Sequence, residues 1–190
     1  MRRNDVRTGL RVAGVTVSAS ALLAGSMRAF GPRSARFAFV VVALPLVWFA
    51  LLWRALALRR PVLRPPAVVR VLRPAERDGR VYELLGVRVF KRLLRRGPLA
   101  VFAPPMHLPP EPTPGSVADL DMRMQQAEAV HEILLVGTLL TALNAAFRGW
   151  WGAAGWLMLF DVLGNGYPAM LQRYNRALLA KRFGLPAELT

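Results

Sequence analysis

The sequence predicts an all-α integral membrane protein with about four transmembrane helices and one basic amphipathic helix on the cytoplasmic side. Hydrophobic residues make up 54% of its 190 residues, yet 26 Lys and Arg outnumber 11 Asp and Glu, which gives a net charge of +15. The apolar residues fall in long runs bounded by arginines. A soluble domain of this length rarely combines these extremes, whereas basic flanks around membrane spans account for both.

The composition also excludes several kinds of site. The chain has no Cys, which rules out disulfides, thiolate nucleophiles and Cys-ligated metals. His107 and His131 are too few for a multi-histidine metal centre, so no metal is expected. A nucleic-acid partner would explain the charge but not the apolar runs, and none is predicted. Arginine outnumbers lysine 24 to 2, which indicates a GC-rich, bacterial genome.

The first region, residues 1–60, contains two predicted spans, at about 12–27 and 37–58. The second includes the uncharged stretch 37–53 and reaches the roughly 20 residues that a span needs. The first follows a basic N-terminal arm and has a second interpretation, because Ala19-Ser20-Ala21 resembles a poor signal-peptidase site. A retained span is favoured, since the apolar run continues beyond that site.

The second region, residues 61–129, is predicted to be cytoplasmic and to contain two parts. Residues 80–96 form an amphipathic helix with a basic face, and such a helix beside membrane spans lies in the headgroup plane. Residues 97–120 form a linker, because its seven prolines between 98 and 114 prevent a long helix or strand. The basic face of the helix consists of Arg88, Lys91, Arg92 and Arg95, and the apolar face of Tyr82, Leu85, Val89, Phe90 and Leu93.

The third region, residues 130–171, is predicted to be a transmembrane hairpin. Its spans, 130–147 and 150–171, are separated only by Arg148 and Gly149. A connection this short makes them antiparallel, and their small residues allow close backbone approach. A cytoplasmic tail, residues 172–190, follows.

Orientation follows from the positive charges. With four spans, the N-terminal arm, residues 54–129 and the tail share one side and hold 22 of the 26 basic residues. By the positive-inside rule that side is cytoplasmic. The prediction is therefore a multi-pass protein of the bacterial inner membrane with both termini in the cytoplasm.

The third span begins with the candidate catalytic residues Glu128 and His131. Residues three apart share a helix face, so the carboxylate can orient the imidazole as an acid does for a general base. Glu132 belongs to the same polar group. The alternative interpretation is that these side chains only anchor the helix at the headgroup level.

A second polar group faces this one across the predicted hairpin. Mirroring the hairpin about its loop places His131 level with Gly166, next to Asn165, and the sequence "QRYNR" about two turns further toward the cytoplasm. An imidazole base with guanidinium and amide donors nearby suits acyl transfer to a hydroxyl, which needs proton removal and oxyanion stabilisation. The residues predicted to bind the donor or the oxyanion are Asn165, Gln172, Arg173, Asn175 and Arg176.

Three other polar residues are weaker candidates. Asp161 lies in mid-span, where an ionisable residue is either functional or a buried partner across the hairpin. Asn144 is similar, and His107 is interpreted as a surface loop residue. The H-x-x-x-x-D acyltransferase pattern, G-x-S-x-G and Gly-rich phosphate loops are absent from the sequence.

Three stretches resemble the glycosyl-4,4'-diaponeurosporenoate acyltransferase family of carotenoid biosynthesis. They are "LGVRVFKRLLRRG" at 85–97, "AEAVHE" at 127–132 and "NGYPAMLQRYNRALL" at 165–179. The family typically shows a basic K-x-W-K-like segment, an R-A-E-x-x-H box and an N-x-P…Q-R-Y-N-R box. This sequence departs from the family pattern at three positions. Gln126 replaces the arginine of the second box, Phe90 stands where the family favours Trp, and Pro168 is one position later than the usual proline of the third box.

The resemblance implies transfer of a fatty acyl group from acyl-CoA, as co-substrate, to a sugar hydroxyl of a glycosylated carotenoid. The predicted partners are membrane lipid, acyl-CoA and a carotenoid glycoside or other lipid-linked sugar, and no further cofactor is expected. A second hypothesis is a non-catalytic membrane subunit that scaffolds lipid- or carotenoid-modifying enzymes through its basic face. The two differ in whether His131 is required.

Overall fold

A computed structural model describes residues 3–56, 71–96 and 108–184. Within these ranges the protein is helical and has no β-strand, which confirms the all-α prediction. His107 and the first part of the predicted proline-rich linker, residues 97–107, lie outside the described residues. The helices are α1 (Arg3–Phe30), α2 (Ala35–Leu56), α3 (Arg80–Leu84), α4 (Val87–Arg96), α5 (Pro114–Phe147), α6 (Trp151–Asp161) and α7 (Tyr167–Phe183), with a 3-10 turn at Pro74–Glu76 and a π-helical turn at Val162–Gly166.

The chain divides into two compact units. The hairpin unit comprises Met1–Val62 and Ile133–Gly164, and the charge-cluster unit comprises Leu63–Glu132 and Asn165–Thr190. Helix α5 is continuous and contributes to both, because the division falls between Glu132 and Ile133.

Small side chains form the core of the hairpin unit. Gly164 approaches helix α2 so closely that a Cβ there would lie 3.2 Å from Val42 Cγ1. This packing agrees with the small-residue contacts predicted for the hairpin. The buried core residues are Ala38, Val42, Ala142, Ala145, Ala153, Ala154 and Leu157.

Local signals define the ends of these helices. Gly31, with φ 74°, ends α1, and the Ser34 hydroxyl caps α2 by accepting the Phe37 N–H at 3.1 Å. Arg148 and Gly149 form the turn between α5 and α6, as predicted, and Gly149 has φ 73°.

The predicted linker ends earlier than expected, because α5 begins at Pro114 rather than after residue 120. A reciprocal capping box starts the helix: the Ser116 N–H donates to Thr113 Oγ1, and the Thr113 N–H donates to Ser116 Oγ. Pro114 takes the first helical position, where no N–H is needed. One helix therefore joins the end of the predicted linker to the predicted third span.

The prediction of one helix over 80–96 is wrong. The chain breaks between α3 and α4 at Gly86, which has φ 79°. The break lets Tyr82 and Val87 pack against Leu171 and Tyr174 of α7. Part of the apolar surface thus contacts protein, while Leu84, Leu85, Val89 and Leu93 stay exposed.

The predicted fourth span, 150–171, is not one regular helix. It consists of α6, the π turn and the first residues of α7. Within the described residues, α5 is the one helix that is both long and apolar enough to cross a membrane, and the apolar stretch Ala35–Val47 of α2 is shorter.

Candidate active site

Arg176 of α7 is the centre of a buried ion-pair cluster in the charge-cluster unit. Its Nε donates to Asp121 Oδ1 at 3.0 Å and its Nη1 donates to Glu128 Oε2 at 2.8 Å. Arg176 and Glu128 have no solvent exposure. A buried guanidinium needs such charged, hydrogen-bonded partners, because desolvation of an isolated charge is costly.

Arg173 extends the cluster toward the chain surface. Its Nη1 donates to the second oxygen of Glu128, so that carboxylate bridges both arginines. Its Nη2 donates to Glu76 Oε2 at 2.8 Å and to the Val71 carbonyl at 3.2 Å, and its Nε donates to the Tyr82 hydroxyl at 3.1 Å. We call Glu76, Asp121, Glu128, Arg173 and Arg176 the charge cluster.

Helical spacing explains why these side chains meet. Asp121 and Glu128 are seven residues apart on α5, about two turns, and therefore share a face. Arg173 and Arg176 are three apart on α7 and also share a face. Each arginine can thus reach a carboxylate of the facing helix.

The charges of the outer part of the cluster are stabilised by their partners. Burial opposes ionisation of Glu76, but hydrogen bonds from Arg173 and the Arg73 backbone hold its pKa below the usual value. Burial and the neighbouring Glu76 raise the pKa of the Tyr82 hydroxyl. Burial alone would lower the pKa of Arg173, yet Glu76 and Glu128 raise it. The ion pair between Glu76 and Arg173 is therefore present at neutral pH.

His131 lies one turn beyond Glu128 on α5 and pairs with Asn165. Its Nδ1 is 3.2 Å from Asn165 Oδ1, so the two residues are close to each other, as the mirrored hairpin predicted. An amide oxygen accepts a hydrogen bond, so this contact assigns the proton to Nδ1 and leaves the lone pair on Nε2. Asn165 is buried in the π turn, and π turns within helices often occur at functional sites.

The structure changes the roles expected of Glu128 and Arg176. His131 forms its hydrogen bond with Asn165, and the two Glu128 oxygens accept hydrogen bonds from the two arginines. Glu128 therefore clamps α5 to α7 instead of orienting the imidazole directly. Arg176 has no exposed surface with which to contact a soluble donor.

The remaining predicted residues have separate surroundings. Asn175 accepts a hydrogen bond from Lys91 Nζ at 2.7 Å, and Gln172 is buried, its Oε1 having no hydrogen-bond partner within the described ranges. Asp161 is almost fully buried in the hairpin unit. Asn144 is exposed and accepts from Arg148 Nε at 3.3 Å.

Sequence patterns did not single out Asp121, Glu76 or Tyr82. The seven-residue spacing from Asp121 to Glu128 was an available signal for one shared face. No sequence signal indicated that Glu76 and Tyr82 contact Arg173, because they lie about a hundred positions before it and meet it only through the tertiary fold. Among the described residues, no group of three His, Asp or Glu is placed to hold a metal ion.

A cleft of about 300 Å³ opens beside Arg173. Its walls combine charged side chains with one aromatic and one thioether side chain. They are formed by Arg73, Glu76, Tyr82, Glu132, Met170 and Arg173.

Over the residues that the structure describes, the fold and site define a helical protein with one membrane-capable helix and an imidazole beside a buried charge cluster. The chain belongs to the glycosyl-4,4'-diaponeurosporenoate acyltransferase family, whose model matches residues 66–183. This match confirms the resemblance drawn from the sequence motifs and supports an acyltransferase acting on a glycosyl carotenoid. No curated protein and no solved structure matches the chain.

Proposed function

We propose that this protein transfers a fatty acyl group from acyl-CoA to a sugar hydroxyl of a glycosylated carotenoid or similar lipid-linked acceptor. The family match supplies the reaction class. The observation that carries the residue assignment is the contact between His131 Nδ1 and Asn165 Oδ1, because it leaves Nε2 as a proton acceptor.

In this mechanism His131 acts as the general base. Its Nε2 removes the proton of the acceptor hydroxyl while that oxygen attacks the thioester carbonyl carbon. The C–S bond then breaks, and the imidazolium returns the proton to the leaving thiolate. The ester and free CoA are the products, and the imidazole is neutral again.

The charge cluster positions the base in this proposal. Glu128 is one helical turn before His131, and its two arginines fix this part of α5 against α7. The π turn, which directly precedes α7, brings Asn165 to the imidazole. Arg173 and Arg176 thus act through geometry, since their guanidiniums are engaged with carboxylates.

Substitution of the pair tests the assignment. We expect His131→Ala to lower product formation by about 10²- to 10⁴-fold, as is typical for loss of a general base. Asn165→Ala should give a smaller loss, and Asn144→Ala, an exposed asparagine on the same helix as His131, should have none. Acylated glycolipid is measured by mass spectrometry and normalised to protein detected in the membrane.

The competing scaffold hypothesis makes a different prediction for the same assay. If the protein only organises other enzymes, His131→Ala retains near-normal product at equal protein level. That result would exclude His131 as the base. Loss of protein from the membrane in both His131→Ala and Asn165→Ala would show that the pair is structural.

We further propose that the protein works as a multi-pass membrane protein with spans near 12–27, 37–58, 130–147 and 150–171. The apolar part of α5 and the distribution of arginines support this topology. Reporter fusions after residues 33, 96, 149 and 190 should read outside, inside, outside and inside. An external reading after residue 96 or 190 would contradict it.

The outer surface of α4 supports contact with anionic lipid. Val89 and Leu93 of α4 are four residues apart and each at least half exposed, as is Leu85 at the end of α3, and arginines are interspersed along α4. The chain has no Cys, so Val89→Cys can carry a polarity-sensitive fluorophore, with Arg77→Cys as the control. A blue shift in anionic but not zwitterionic liposomes is expected for Val89 alone, and equal spectra at both positions would contradict lipid contact.

A further inference from the structure

The cleft beside the charge cluster contains both signs of charge in equal number. Arg73 and Arg173 provide two cations, and Glu76 and Glu132 provide two carboxylates. A site for the phosphates of CoA would favour an excess of cations, because carboxylates repel phosphate. The lining charges therefore favour an uncharged polar ligand.

Most of the lining polar groups already have partners. Arg173 donates to Glu76, Glu128, Tyr82 and the Val71 carbonyl, and Glu76 also accepts the Arg73 N–H at 2.8 Å. Glu132 differs from them. Its side chain is 36% exposed, and its Oε1 lies 3.9 Å from Arg173 Nη1, at the outer limit of an ion pair.

We propose that this cleft binds the sugar of the acceptor, with Glu132 accepting hydrogen bonds from sugar hydroxyls and Arg73 donating to the sugar oxygens. Glu132 offers carboxylate oxygens that reach solvent, Arg73 is an exposed residue of the cleft wall, and Met170 gives an apolar wall. The proposal rests on the proposed function and deepens it by separating the acceptor site from the donor site.

The sequence position of Glu132 connects the cleft with the catalytic pair. Glu132 follows His131 directly, and consecutive Cα atoms are about 3.8 Å apart. Side chains one residue apart on a helix do not face each other, and His131 does not line the cleft, so the acceptor would extend from the cleft around α5 to bring a sugar hydroxyl to the imidazole. The sugar would be held by one side chain and deprotonated by the next.

Binding of two soluble probes tests the cleft without turnover. The full-length protein, in a detergent without a sugar headgroup, is titrated with methyl β-glucoside and separately with CoA by saturation-transfer NMR. Glu132→Gln keeps the shape but removes the charge, and it should weaken methyl β-glucoside binding about 10-fold or more, as expected for a lost charge-assisted hydrogen bond. CoA binding should not change.

Two further variants protect this test against folding defects. Arg73→Gln alters an exposed residue and keeps the backbone hydrogen bond to Glu76, so it should fold and bind methyl β-glucoside more weakly. Glu111→Gln, at an exposed glutamate outside the cleft, should bind both probes as the unmodified protein does.

The outcomes separate the cleft from the catalytic assignment. Unchanged methyl β-glucoside binding in both Glu132→Gln and Arg73→Gln, or no binding to the unmodified protein, would overturn the sugar site. Weaker CoA binding in these variants would overturn it in favour of a donor site. His131→Ala should still bind methyl β-glucoside, so its activity tests the proposed function alone.

Discussion

The hairpin unit and the charge-cluster unit hold their helices together by contrasting means. Alanines dominate the buried core of the first, where Gly164 lets α2 approach closely. In the second, two arginines of α7 are paired with carboxylates of α5 and of the turn before α3. Close packing of small residues suits apolar surroundings, where the hydrophobic effect between helices is absent, whereas buried charges fix a single arrangement of the polar helices.

The contrast is between two sources of stability: close packing of small side chains in the hairpin unit and pairing of buried charges in the charge-cluster unit. A unit held by close packing of small residues should lose stability when a buried side chain is enlarged, and it should tolerate substitutions that keep the side-chain volume. A buried ion pair should fail when one partner is removed, because the other charge is left without compensation. The following predictions test the difference, beginning with the largest effect.

Arg176→Met should have the largest effect. It leaves Asp121 and Glu128 buried without their shared partner, which costs about 3–5 kcal/mol for a broken buried pair. Thermal unfolding in detergent measures the loss. Arg182→Met, at an exposed arginine near the end of the same helix, should change the midpoint little, and equal losses in the two variants would show that the cluster contributes no more than a surface charge.

Ala153→Leu tests the hairpin unit. Ala153 is buried among other alanines, and overpacking of a dense core costs about 1–3 kcal/mol. The same unfolding assay applies, and Ala118→Leu on the exposed face of α5 is the control. If Ala153→Leu unfolds at the same temperature as the control, close packing is not what holds this unit.

Gly79→Ala tests a backbone contact in the charge-cluster unit. Gly79 has φ 76°, and a Cβ there would lie 3.1 Å from ring carbons of Tyr174. The left-handed backbone alone costs a non-glycine residue about 1–2 kcal/mol. By contrast, Gly155→Ala in α6 meets no atom within 4 Å and should stabilise the helix by up to about 1 kcal/mol. Changes of the same sign would contradict this prediction.

The smallest effect concerns pH. The folded-state pKa of Glu76 is lowered, so its ion pair with Arg173 stabilises the fold above the ordinary carboxyl pKa. That contribution is lost as pH falls through the lowered folded-state value. Glu76→Gln should therefore reduce stability at neutral pH and flatten the loss between neutral and acidic pH. Parallel profiles of stability against pH for the two proteins would show that the Glu76–Arg173 pair does not cause the pH dependence of stability.

The sequence by itself determined the features that depend on local pattern. Long apolar runs bounded by arginines predicted the all-α class, and the two-residue connection predicted the turn at Arg148 and Gly149. Counting residues on both sides of that turn placed His131 level with Gly166, next to Asn165, because two antiparallel helices advance at the same rise per residue. The family motifs were equally readable, since they are contiguous in the chain.

Only the tertiary structure decided which polar groups pair with one another. Sequence spacing predicted that Glu128 contacts His131. In the structure the Glu128 carboxylate instead accepts hydrogen bonds from two guanidiniums of α7, and the imidazole contacts the Asn165 amide. A charge that is removed from water takes the strongest partner within reach, and reach depends on which helices meet. For the same reason Glu76 and Tyr82, which are remote in sequence, contact Arg173. The tertiary structure also decided that the predicted 80–96 helix is divided at Gly86 into two helices that pack on α7.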